Sequence, residues 1–118
     1  MWYDNLNNKR LWKIFSDISA IPRESGNEEG IRKYLLSWAE EHGIDAFSDS
    51  IGNVIMKVKA TPGYEDYPSI ALQGHMDMVC EKTEDCTIDF EKDGLDLYVD
   101  GDFLRANGTT LGGDDGIA

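Results

Sequence analysis

Apolar positions along this chain follow two periods, with Gly43 as the divide. Before it they recur as on a helix: Leu11, Ile14, Phe15 and Ile18 stand at i, i+3, i+4 and i+7, predicting an amphipathic helix over residues 8–20. Pro22 bars its continuation, because proline has no N–H and pushes its predecessor out of the α region. A second stripe, Ile31, Tyr34, Leu35, Trp38 and Ala39, predicts another helix. Ser25-Gly26-Asn27-Glu28 has the S-x-x-E form of a capping box at its start. Gly43 is placed to end it at C′.

Beyond Gly43 the period drops to two. Asp45-Ala46-Phe47-Ser48 predicts a strand, Gly52-Asn53 a turn, and the alternation of Val54, Met56 and Val58 with Ile55, Lys57 and Lys59 a half-buried strand. Ser69-Ile70-Ala71-Leu72-Gln73 reads as a short strand of a sheet covered on both faces. It runs into Gly74-His75-Met76-Asp77. Further strands are expected at 87–90, 95–99 and 102–105, the last two around an Asp100-Gly101 turn. Helices followed by strands, with helical potential again after Gly116, predict a layered α/β fold. The closing residues read as the start of a helix, so residues 1–118 are expected to be a piece of a longer chain.

Composition narrows the partners. At 118 residues, 41% hydrophobic and 29% charged, the chain suits one globular domain. Its formal charge is −12, which disfavours nucleic acid and anionic membrane surfaces, since phosphates are bound through Lys and Arg. No apolar run reaches the ~20 residues of a spanning helix, and residues 1–10 lack a signal-peptide layout. A soluble, cytoplasmic protein is expected. Cys80 and Cys86 match neither redox nor zinc spacings and read as reduced thiols. Residues 1–43 hold 6 basic and 7 acidic side chains, residues 44–118 hold 5 and 16. Much of the excess falls on Glu81, Glu84, Asp85, Asp89, Glu91, Asp93, Asp96 and Asp100. It is either a solvated surface or a field that gathers cations.

Two constellations carry chemistry. His75-Met76-Asp77 closes an apolar strand, where ligands bind in open α/β sheets. Residues i and i+2 of a strand share a side, so an imidazole and the carboxylate that holds its second N–H would sit together. A purely structural histidine satisfies the same pattern. Gly112-Gly113-Asp114-Asp115-Gly116 places two adjacent acids in a glycine-rich turn, and if buried they repel unless a cation compensates them. The alternative is an exposed turn with Asp as N-cap. No Walker loop, G-x-G-x-x-G or EF-hand is present.

In this order the two motifs resemble the co-catalytic zinc metallopeptidases of the carboxypeptidase/dipeptidase superfamily, and within them the aminoacyl-histidine (Xaa-His) dipeptidases. The likeness is carried by residues 73–82 and 107–117, and extends to Ser19-Ala20-Ile21-Pro22-Arg23-Glu24-Ser25-Gly26-Asn27-Glu28 and Asp49-Ser50-Ile51-Gly52-Asn53-Val54. It implies a three-layer αβα zinc-peptidase-like catalytic domain, of which residues 1–118 are the N-terminal portion. His75 would ligate one metal ion, Asp77 would be the neighbouring acid that orients it for catalysis, and Asp114 would bridge two ions. Asp115 occupies a position where relatives have Asn or Asp and takes no ligand role. Gly113 stands where Ala is common.

Two divalent cations ~3.5–4 Å apart need shared anionic charge, and together they activate water and polarise a scissile carbonyl. The implied cofactor is zinc, two ions in a full-length enzyme, with cobalt or manganese compatible with imidazole and carboxylate. The implied substrate is a short peptide, an Xaa-His dipeptide by the narrower resemblance, and the implied assembly is a homodimer. The family's Glu-Glu pair, later Asp and distal His have no counterpart in residues 1–118. His42, at a helix end beside Gly43, does not replace the distal His. The chain alone is therefore expected to be inactive. The rival reading is a non-catalytic acidic α/β module that binds cations or a protein through its 81–102 face.

Overall fold

The first apolar stripe forms α1 (Lys9–Ser19), with Phe15 and Ser19 buried on its inner face. The second forms α2 (Glu29–Glu41). A computed structural model describes all residues 1–118, and they divide into two units, Met1–Ile31 with Met76–Ala118, and Arg32–His75.

In the discontinuous unit, α1 is flanked by aromatic rings meeting edge to face: Trp2 on Trp12, and Trp12 on Phe15. Such contacts add about 0.5–1.5 kcal/mol to the area they bury. The segment after residue 93 packs against the end of α1, where the Leu95 amide donates to the Ser19 carbonyl at 2.9 Å. Strands β3 (Leu97–Asp100) and β4 (Phe103–Ala106) pair antiparallel, with Asp100 opposite Phe103. The two residues between them make the predicted turn, and Gly101 supplies its positive φ of 60°. The chain then runs antiparallel to residues 81–83, through Thr83 N–H to Gly108 O at 2.8 Å and Thr110 N–H to Glu81 O at 2.9 Å. It ends in a single helical turn, α3 (Gly113–Gly116).

In the other unit, α2 ends as expected. Gly43, at φ 67°, donates to Glu40 O, and Ile44 reaches back to Ala39 O at 2.8 Å. This is the paired bond pattern of a Schellman cap. Strands β1 (Asp45–Ser48) and β2 (Val54–Lys57) pair antiparallel with Phe47 opposite Ile55. Their connection is organised by Asp49, whose carboxylate accepts from the Ile51, Gly52 and Asn53 amides and the Asn53 side chain at 2.8–3.0 Å. Arg32 closes the loop from α2 by donating to Gly52 O at 2.9 Å.

Several expectations are corrected. Residues 69–73 form no strand, and Ile70 and Leu72 are 87% and 95% exposed. A strand exists only through its ladder, and no extended segment of the chain pairs with this one. Residues 87–90 likewise form no strand; a turn at Asp89, bonded to the amides of Glu91, Lys92 and Asp93, bends them away from pairing. Strand 54–59 stops at Lys57. The capping box does not form: Glu28 accepts from the Gly26 amide at 2.6 Å, and the Ser25 hydroxyl is engaged elsewhere.

Candidate metal-binding site

Arg23 organises the region that holds both sequence motifs. It follows Pro22 in the link between α1 and α2, and it is buried to 2% exposure. Its backbone carbonyl accepts from the Met78 amide at 2.9 Å, and Glu24 and Met78 form a parallel bridge. The segment after His75 is thus laid beside residues 23–25. One residue further, the Ser25 hydroxyl donates to the Asp77 carboxylate. Asp77 is half-buried there.

The guanidinium reaches the second motif. Nη1 is ion-paired to Asp115 Oδ2, both side chains 1% exposed, and Nη2 donates to Gly112 O at 3.3 Å. A long 3.5 Å contact joins Nη1 to Met76 O. Two glycines permit this approach. Gly112 is left-handed at φ 65°, and a Cβ there would stand 2.7 Å from Arg23 Nη2 and 3.0 Å from Met78 Cβ. A Cβ on Gly116 would meet the Phe15 ring at 2.5 Å.

The two motifs are held together further along as well. Thr110 Oγ1 donates to Val79 O at 2.7 Å, and the Glu81 amide donates to Thr110 Oγ1 at 3.2 Å. Residues 79–83 and 108–110 therefore lie side by side, with Asp77 just upstream of one and Asp114 just downstream of the other.

The residues named from the sequence fall as follows. His75 is exposed and is the last residue of its unit. Asp114 is exposed on α3, while its neighbour Asp115 is buried against Arg23. The cation demanded by two adjacent acids is, for Asp115, a side chain of this chain. The N-cap of α3 is Gly112 and not an Asp. His42 stacks on Trp38 at 3.9 Å and bonds the Trp38 carbonyl at 2.7 Å, a local helix-end arrangement. Cys80 and Cys86 are free thiols, and burial pushes Cys80 above the usual thiol range, helped by Glu24.

The roles of Arg23 and Ser25 are not assigned by the sequence reading. A signal for Arg23 exists: a cation directly after Ala20-Ile21-Pro22, in a chain with an adjacent Asp114-Asp115 pair. No comparable signal exists for Ser25, because its place in an S-x-x-E pattern points to a helix cap.

The class of protein follows from comparison with known proteins: the chain is homologous to hydrolases that include dipeptidases. It is 42% identical over 112 residues to the cytosol non-specific dipeptidase of Escherichia coli K12, covering 95% of this chain and 23% of that protein. The crystal structure of aminoacylhistidine dipeptidase from Vibrio alginolyticus superposes with a TM-score of 0.90 at 44% identity, over 96% of this chain and 23% of that one. A protein of Pyrococcus furiosus named as a LysW-lysine/LysW-ornithine hydrolase is 42% identical over 71 residues, 60% of this chain and 18% of its own length. No family model matches the chain.

The chain thus spans about a quarter or less of the length of these relatives. Over that span the mixed helix-and-strand arrangement is a portion of the expected α/β zinc-peptidase fold. No helix is long and apolar enough to cross a membrane.

Proposed function

We propose that this chain contributes the first metal donors of a dinuclear metallo-dipeptidase, with His75 ligating one ion, Asp114 bridging two, and Asp77 orienting His75. The observation that supports this most directly is the juxtaposition of the two motif segments, 79–83 against 108–110, in a chain homologous to dipeptidases. The donor chemistry fits: an exposed imidazole and an exposed carboxylate suit zinc, and also cobalt or manganese. The adjacent acid, Asp115, is already neutralised by Arg23. When bound, two such ions would supply Lewis acidity for hydrolysis of a peptide bond.

The chain's own residues prepare the site. Asp77, gripped by Ser25, would accept the second N–H of His75 and fix its tautomer, as acceptors behind ligating histidines do. The general base and remaining ligands would come from outside residues 1–118 in a protein of the relatives' length. The residues form the N-terminal portion of one catalytic domain in this reading. The whole protein would act in the cytoplasm as a homodimer on short peptides, with Xaa-His dipeptides as the favoured class.

Zinc bound per chain, measured by equilibrium dialysis, tests the donor assignment. Wild-type chain is expected to retain zinc, and His75→Ala and Asp114→Ala to lose it; variants that bind like wild type would overturn the assignment. With β-alanyl-histidine and added zinc, the 118-residue chain is expected to show no turnover. Turnover abolished by His75→Ala would contradict the assignment of the base to another part of the protein.

A further inference from the structure

Asp114 and Asp115 are chemically equivalent neighbours, yet the chain treats them in opposite ways. Asp115 is buried on the Arg23 guanidinium, and Asp114 is exposed. Successive residues on a helix project about 100° apart, so anchoring one carboxylate inward sets the direction of the other. That anchoring matters because α3 is a single turn of four residues whose N-cap, Gly112, makes no side-chain cap bond. A lone turn is unfavourable without external support. Its support comes from Arg23, through Asp115 and the Gly112 carbonyl, and from Phe15 packed against Gly116.

The same residue reaches the other motif, mainly through its backbone. Arg23 receives the Met78 amide on its carbonyl and contacts Met76 O with Nη1, while Ser25, two residues on, holds Asp77. We infer that Arg23 is a positioning residue that selects Asp114 over Asp115 as the metal-holding carboxylate and sets the spacing between the Asp77 and Asp114 segments. The inference rests on the proposed reading of Asp114 as a metal ligand. Two properties suit Arg23 to the role. Its charge compensates the buried Asp115 carboxylate, and its planar fork reaches an acid and separate carbonyls at once, which a lysine ammonium does not reproduce.

Cobalt(II) binding to the full 118-residue chain tests this, read as affinity and as the position and intensity of the visible d–d bands, which report donor number and geometry. Four proteins are compared: wild type, Asp114→Asn, Arg23→Lys, and the double variant Arg23→Met/Asp115→Leu. The double variant removes both buried charges together, a change that buried ion pairs commonly tolerate, and circular dichroism checks each fold. Arg23→Lys and the double variant are expected to bind cobalt about 10- to 100-fold more weakly, with altered bands, and Asp114→Asn not at all. Wild-type affinity and spectrum in both Arg23 variants, with binding lost only in Asp114→Asn, would overturn the role of Arg23 and leave the metal reading standing. Cobalt bound equally by wild type and Asp114→Asn, or by neither, would overturn the metal reading and this inference with it.

Discussion

A guanidinium and a carboxylate that are each 1% exposed, as Arg23 and Asp115 are, make a pair whose halves cannot be removed separately without penalty. Asp115→Asn leaves the guanidinium buried without a counter-charge, and is expected to lower unfolding free energy by about 3–5 kcal/mol. Urea denaturation measures this, and a loss below about 1 kcal/mol would mean that water reaches the pair. Gly112→Ala is a different kind of strain. It combines a left-handed backbone with a Cβ 2.7 Å from Arg23 Nη2, so a cost of about 1–3 kcal/mol is expected in the same assay. Cys80 offers a residue-level check through chemistry. Its thiol is pushed up by burial and then by Glu24, so less thiolate is present at a given pH. In a Cys86→Ser chain, Cys80 should alkylate more slowly than an unstructured cysteine peptide at pH 8, and the difference should vanish in denaturant.

At the scale of elements, α1, α2 and both hairpins are legible in the residues because their determinants are local. The stripe of Leu11, Ile14, Phe15 and Ile18 needs nothing beyond its own turns to declare a helix, and Gly43 ends α2 through bonds to Glu40 and Ala39. The β1–β2 connection is equally local, with one carboxylate serving three amides and one side-chain amide. The Asn53 side chain, followed by the backbone amides, holds Asp49 below the ordinary carboxylate range. A depressed folded-state pKa contributes stability that is present above the unfolded value and lost as pH falls through the folded one. Amide resonances of Ile51, Gly52 and Asn53 should therefore stay in place through the normal Asp range and shift only at more acid pH. Asp49→Asn should abolish that transition, and a transition that persists in the variant would assign it to another group.

The elements that escaped prediction failed for the converse reason. Residues 69–73 have the composition of a buried strand, but a strand needs partners and this one has none within the chain. The capping box at Ser25 is a correct local pattern overridden by a distant one, because the hydroxyl meets Asp77, 52 positions away.

Taken whole, the molecule buries few apolar side chains: Phe15, Ile31, Ala39 and Met78 are the apolar residues that are fully buried. Tyr67, Ile70 and Leu72 meanwhile stand exposed in the unpaired segment and just before it. An exposed apolar stretch with free backbone groups is a template for pairing with another chain. Concentration-dependent self-association is expected in light scattering, and Ile70→Lys/Leu72→Lys should reduce it; a strictly monomeric wild type would contradict this. The sequence by itself determined the helices, the hairpins, the acidic bias and the motifs around His75, Asp77 and Asp114, because each is written in spacing along a short stretch. Tertiary structure alone decided that Arg23 takes Asp115, that Ser25 serves Asp77, and that residues 79–83 lie beside 108–110. Those choices join positions far apart in the chain, and only packing ranks one distant partner above another.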